Sequence, residues 1–306
     1  MYTTETKIIN VWRIDIKPDI QREVDPVKLC LNEGIIGIGW RVYGRPTSKE
    51  DYWEKAKAIY AKDADWVRAA TPFLFQMKEG DLVWIRDLMG IYYLGRIEGD
   101  WEYRDEPVYM QADIVNVRKC KLFKVGANVP GGVSNSFRTR GTVQGINDQT
   151  VNLFSRFVYN KLAGQEIYDT KHEIYGKRDI FSFLTETDLE DIVALFLQHE
   201  GYLLIPSSLS SRNDIPFYEL QLIHRSTGEL AFVQVKSANI VLNPDYYARF
   251  PHKIFLFSPA GYSTPSNPYE HVITLKRDDI EKFIFNFKHI MPAHVRLWLE
   301  YIEEVK

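Results

Sequence analysis

The segment Leu230-Ala231-Phe232-Val233-Gln234-Val235-Lys236 leaves the chain little conformational choice. Its apolar and β-branched residues favour a strand, and successive side chains of a strand point to opposite faces. Gln234 and Lys236 therefore share one face, with Val233 and Val235 on the other. Residues 218–223 precede it as a second strand, joined through the tight connection Arg225-Ser226-Thr227-Gly228. A turn centred on Ser226-Thr227 sets Glu219 directly opposite Gln234. Carboxylate, amide and ammonium then converge on one patch of one sheet face.

The elements around this hairpin read as α/β. Thr187-Asp188-Leu189-Glu190 fits a capping box, with Thr187 as N-cap and Glu190 three residues on. Leu189, Ile192, Val193, Phe196 and Leu197 follow at the spacing of one buried helical face, and Gly201 ends the helix. Strands are expected at 202–206, 253–257 and 272–275, with two helices closing the chain. On its helix, Glu190 falls at the edge of the apolar face and can look toward the sheet.

A carboxylate beside amide and carbonyl oxygens is a hard-ligand set. It suits Mg²⁺, with Mn²⁺ as a substitute, and phosphate oxygens can complete the octahedron. A lysine two residues along can orient a metal-bound water or offset charge growing on a phosphate. The order Asp188-Leu189-Glu190-Asp191, Gly201-Tyr202, Tyr218-Glu219-Leu220-Gln221-Leu222 and Val233-Gln234-Val235-Lys236-Ser237 resembles the PD-(D/E)XK nucleases. The likeness is closest to their Mrr-like restriction branch and spans roughly residues 180–290. It implies a restriction-endonuclease-like α/β domain over 179–306. Glu219 would be the acidic metal ligand, where Asp is usual, and Gln234 would fill the variable D/E/Q position. Val235 would offer its backbone carbonyl, Lys236 would be the catalytic lysine, and Glu190 would match the helix glutamate. Asp214, in a polar loop, is a rival for the first acid.

The first half has another texture. Six of the seven tryptophans lie within the first 101 residues. Short strand-like runs recur at 7–14, 34–40, 82–86 and 91–97, the last two forming a hairpin across Asp87-Leu88-Met89-Gly90, which suggests a small barrel. Val11-Trp12-Arg13-Ile14, Gly37-Ile38-Gly39-Trp40, Lys78-Glu79-Gly80-Asp81-Leu82-Val83 and Tyr93-Leu94-Gly95-Arg96-Ile97 resemble the EVE domains of the PUA-like barrel superfamily. That resemblance implies an N-terminal EVE/PUA-like domain over 1–125 holding a flipped, modified base against aromatic faces. Trp40, Trp84, Trp101 and Tyr103 are the candidates. A Gly-, Pro-, Ser- and Asn-rich stretch begins at 126, so 126–178 is expected to be a connector.

Composition narrows the class. The chain has 306 residues, enough for two domains, and a formal net charge of −3, so no global basic signature announces nucleic acid. Between Asp113 and Asp148, however, lie Arg118, Lys119, Lys121, Lys124, Arg138 and Arg140 with no acid among them, a candidate track for a DNA backbone. No apolar run approaches the length of a membrane span. The N-terminus lacks a signal pattern, and Cys30 and Cys120 stand alone, so a cytoplasmic location is expected.

Together these readings point to a Mg²⁺-dependent DNA endonuclease with a modified-base sensor, serving restriction or antiphage defence. It is expected to act as a homodimer, since cutting both strands requires two sites. A reader that binds modified nucleic acid without cutting is the alternative, as is a nuclease effector switched on by a small nucleotide signal.

Overall fold

In the computed structural model, residues 8–16, 23–174, 179–211, 217–264 and 269–304 are described. The chain is mixed α/β and divides into two units, 1–175 and 176–306, each built on its own sheet. Asp214 lies outside the described residues.

The first unit runs β1 (Val11–Ile14), α1 (Pro26–Glu33), β2 (Ile35–Ile38), α2 (Lys49–Tyr60), α3 (Ala64–Thr71), β3 (Leu82–Arg86), β4 (Tyr92–Tyr103), α4 (Pro107–Ala112) and β5 (Asn116–Gly126). It continues through α5 (Gly131–Ser136), β6 (Val143–Gly145), α6 (Gln149–Ala163) and α7 (Lys171–Ile174). Its six strands are ordered β2-β5-β4-β3-β1-β6. The expected hairpin is β3–β4, paired from Leu82↔Arg96 to Arg86↔Tyr92. Its turn is fixed by the Asp87 carboxylate, which accepts from the amides of Met89 and Ile91. A register shift between Ile97 and Trp101 bends the long β4–β5 ribbon. The sheet curls around an interior holding Ile35, Ile36 and Ile38 of β2 together with Ile14 of β1 and Val143 of β6. Among the described residues β2 and β6 do not pair, so the small barrel expected here is not closed among them.

The expected connector is also corrected. β6 pairs antiparallel with β1, from Trp12↔Gly145 to Ile14↔Val143. In α6, Val151, Phe154, Val158 and Tyr159 are buried. Asp148 caps its N-terminus by accepting from Thr150 and Val151 amides, and Gly164 closes it in the left-handed conformation. The first unit therefore extends to residue 175.

Asp81 ties this sheet together. It is 1% exposed, and its carboxylate accepts from the Asn10 amide at 3.1 Å, the Trp12 indole at 2.9 Å and the Lys78 amide at 3.1 Å. The Gly80-Asp81 pair thus joins the start of β3 to the residue before β1.

The second unit contains α8 (Glu186–His199), β7 (Tyr202–Leu204), β8 (Leu220–His224), β9 (Leu230–Val235), β10 (Lys253–Phe257), β11 (Val272–Thr274), α9 (Arg277–Asn286) and α10 (Ala293–Glu304). Its strands are ordered β11-β10-β9-β8-β7, with β9, β10 and β11 parallel and the β8–β9 hairpin antiparallel. The helix start differs from the sequence reading. Thr185, not Thr187, is the N-cap of α8, and Asp188 completes the capping box. Asp188 also meets His294 of α10 at 3.0 Å, so this histidine is a buried strut, not a surface residue. No helix among the described residues is long and apolar enough to cross a membrane.

Asp81→Ala leaves the buried Trp12 indole and two backbone amides without their acceptor. We expect a loss of about 3 kcal/mol from the first unit. Urea unfolding followed by tryptophan fluorescence measures it, because six of the seven tryptophans report on that unit.

Candidate functional site

The β8–β9 register places the residues singled out at 219, 234 and 236. Leu220↔Val233 and Gln221↔Phe232 are paired, and the Glu219 amide donates to the Val233 carbonyl at 2.7 Å, one residue off that register, so the hairpin ends there in a bulge. Glu219 lies just before β8 and is not a paired ladder position; it is its carboxylate that meets Gln234. Val233, Val235, Leu220 and Leu222 are buried on the other face. On the site face, Gln234 Nε2 donates to Glu219 Oε1 at 2.7 Å, and Lys236 Nζ donates to the same oxygen at 3.3 Å.

A fourth member was missed by the sequence reading. Lys236 Nζ also donates to Glu186 Oε1, at 3.0 Å. Glu186 opens α8, one turn before Glu190, and residues four apart share a helical face. Glu190 itself is buried, 7% exposed, and it is Glu186 that reaches the lysine. The signal was the Glu-x-x-x-Glu spacing at the start of the helix. Burial alone would lower the Lys236 pKa, but the hydrogen bonds and charges of Glu186 and Glu219 outweigh it and hold the pKa above its ordinary 10.5. Lys236 is a cation at neutral pH.

Whether a metal fits can be judged from Gln234. Its side chain is 1% exposed, and its Oε1 is buried without a hydrogen-bond partner. Meanwhile Nε2 sits between Glu219 Oε1 and, at 3.4 Å, the Val235 carbonyl. The amide N–H group therefore occupies the place a cation would take between two acceptor oxygens. A half-turn of the amide changes no shape, yet it brings Oε1 against those oxygens. A cation, or a proton on Glu219, would relieve such a contact. Glu219, Gln234 and the Val235 carbonyl thus form an oxygen set that fits Mg²⁺ or Mn²⁺. The set depends on the amide and the carbonyl, for no group of three or more His, Cys, Asp and Glu gathers among the described residues.

In the first unit the aromatic candidates separate. Trp84 is fully buried, its indole donating to Ser155 Oγ at 2.9 Å, and so it cannot stack on a base. Tyr103 is buried, with its hydroxyl bonded to the Val42 backbone. Trp101 is half-buried in the core, where its indole donates to Asn116 at 3.0 Å. Trp40 lines a cavity. This space, about 620 Å³, is bordered by Trp40, Arg41, Tyr60, Asp113, Asp15 and Thr142 among others. The two non-glycine residues with positive φ among those described, Trp40 at 64° and Asp113 at 56°, both face it. Such strain persists where neighbours over-determine it. Here the Tyr52 hydroxyl holds the Trp40 carbonyl at 2.8 Å, Asn116 holds the Gly39 carbonyl at 2.6 Å, and Asp63 accepts from the Trp40 indole at 3.0 Å. A Cβ on Gly39 would lie 2.6 Å from Asp113 Oδ1, so only glycine fits there.

The basic track separates as well. Arg118 is 2% exposed. Its guanidinium is committed to the carbonyls of Phe73, Leu74 and Gly99 and to Asp100, so it cannot reach a phosphate. Lys119, Lys121, Lys124, Arg138 and Arg140 are exposed.

Because its pKa is raised, Lys236 is expected to label more slowly with an amine-selective acylating reagent than exposed lysines do at mildly alkaline pH. Glu186→Gln removes one carboxylate partner, lowers that pKa and speeds the labelling, as peptide mass spectrometry can show. The stabilisation from this cluster is complete below 10.5 and is lost as pH rises through the raised value.

Comparison with known proteins adds little to this geometry. Residues 12–132 match a family described as a domain of unknown function (DUF8426). No curated protein matches the chain. A solved structure, the DNA modification-dependent restriction endonuclease AspBHI, is similar at 13% identity and a TM-score of 0.20, over 90% of this chain and 82% of that one. A likeness of that size carries no argument about this chain, so its function must be argued from its own residues.

Proposed function

We propose that this chain is a metal-dependent endonuclease acting on DNA, with its hydrolytic centre at Glu219, Gln234, Val235 and Lys236. The observation that carries the reading is a carboxylate, a buried amide with an unengaged oxygen and a charged lysine on one sheet face. Magnesium held there would polarise a phosphate oxygen and make a bound water more acidic. Lys236, held as a cation by Glu186 and Glu219, does not serve as a base. It offsets the negative charge that builds on the phosphate as the phosphodiester is attacked. Glu186 positions the lysine.

The first unit supports the modification-dependent part of this reading. A base turned out of its stack can lie against Trp40 or Tyr60 in the cavity, its amino groups facing Asp15 or Asp113. A role in restriction or antiphage defence follows from joining such a reader to a nuclease, and a homodimer would bring two centres to the two strands. One observation favours the second reading, a reader that does not cut. The Gln234 amide and the Lys236 ammonium already engage Glu219 Oε1 without a metal.

Incubation of purified protein with plain and base-modified plasmid, in Mg²⁺, Mn²⁺ or EDTA, separates the two. We expect metal-dependent cleavage that falls roughly 10²-fold or more in Lys236→Ala and Glu219→Gln, with folding checked by circular dichroism. Wild-type cutting by Lys236→Ala would remove the proposed centre. Tight binding of modified DNA without cutting in either metal would establish the reader. Trp40→Ala is expected to abolish any preference for modified DNA while leaving metal dependence intact.

A further inference from the structure

The first unit carries a cluster of arginines that form no ion pair among the described residues. The β1–β3 register pairs Arg13 with Trp84, and the β3–β4 register pairs Arg86 with Tyr92. Arg13 and Arg86 therefore leave the same face of the sheet. Both guanidiniums lie against one ring, Phe137, at 5.6 Å and 5.0 Å from its centroid. Arg86 also lies 5.7 Å from the Tyr92 ring, which packs edge-on to Phe137.

Arg13 is fully buried, and its partners are neutral. It donates to the Gly141 carbonyl, to Thr139 Oγ1 at 2.9 Å and to Gln144 Oε1 at 2.8 Å. Its Nε has no partner. Burial depresses its pKa, the charge of Asp15 partly restores it, and the charge of Arg86 depresses it again. Arg138 and Arg140 flank Thr139 on the segment that Arg13 holds, and both are exposed. Among the described residues none of the four arginines forms an ion pair. Arg118 and Arg104, by contrast, each meet a carboxylate. Two guanidiniums on one ring repel each other unless an anion joins them.

We infer that Arg86, which lies against Phe137 with Arg13, and the exposed Arg138 and Arg140 that follow Phe137 in the chain form a binding site for the phosphodiester backbone of nucleic acid. Forked guanidinium donors suit phosphate oxygens, and backbone contacts of this kind fix register without reading sequence. This deepens the nuclease reading by naming the surface that holds its substrate. It moves the backbone track away from Arg118 to the other side of the sheet order, at β1, β3 and the 137–141 segment.

Binding of a labelled DNA duplex by full-length protein, followed by fluorescence anisotropy in EDTA, tests it without any cleavage. Arg138→Ala/Arg140→Ala removes two exposed charges. It is expected to weaken Kd about tenfold or more and to reduce the slope of log K against log salt by about two. Arg86→Gln is expected to weaken binding further. Lys57→Ala/Lys62→Ala removes the same charge from another exposed surface and should leave both quantities unchanged. Unaltered Kd and slope in the arginine variants, or equal losses in the lysine control, would overturn the assignment. Binding lost in the arginine variants, in a protein that never cleaves, would uphold this site while refuting the nuclease reading. Cleavage unaffected by them would do the reverse.

Discussion

The antiparallel register between β8 and β9 is the constraint on which the chemistry of this chain depends. A slip of one residue would send Glu219 into the layer of Leu220, Leu222 and Val233. The register is held because that layer is fully buried, so apolar packing on one face fixes the polar constellation on the other. The amide of Glu219 then bonds off register to the Val233 carbonyl, a bulge at the end of β8, with its carboxylate held beside Gln234. Hydrophobic pairing supplies the positional accuracy that acid, amide and amine could not supply by attracting one another.

The same logic explains what could be read from the residues and what could not. Period-two alternation and a short turn define a hairpin locally, so the meeting of Glu219, Gln234 and Lys236 follows from sequence. The start of α8 does not, because two overlapping frames compete for it. Thr185 with Asp188 and Thr187 with Glu190 both satisfy a capping box, two residues apart. The chain uses the first, where Asp188 also meets His294, a residue more than a hundred positions away. That distant partner selects the frame. The choice puts Glu186 in the first turn, within reach of Lys236, and leaves Glu190 a full turn inside the helix.

In the first unit, composition misled where parity would have helped. Tryptophan serves equally as core and as ligand platform, so Trp84 and Trp40 look alike in sequence. Their roles come from long-range contacts: Ser155 of α6 covers Trp84, while Asp63 and Tyr52 hold Trp40 at the rim of a cavity. Arg118 was open to a better reading. Along β5 it shares a face with Cys120 and Leu122, opposite Lys119 and Lys121, so it had to face inward with the apolar set. The segment after residue 126 was misread for a related reason. Glycine and serine suggested a linker, although Val151, Phe154 and Val158 of α6 already carried a helical apolar face.

Arg13 and Arg118 show how one residue type can serve two ends. Both are buried, and both bond to backbone carbonyls. Arg118 closes the Pro72–Gln76 turn through the Phe73 and Leu74 carbonyls and has Asp100 as counter-charge. Its charge is satisfied within the fold, and it can be understood wholly as structure. Among the described residues Arg13 forms no ion pair with a carboxylate, and only the charge of Asp15 offsets its burial in part. Apolar residues of similar volume could pack β1 against its neighbours at less cost. The charge that Arg13 directs with Arg86 at a single aromatic ring is what the proposed phosphodiester site draws on.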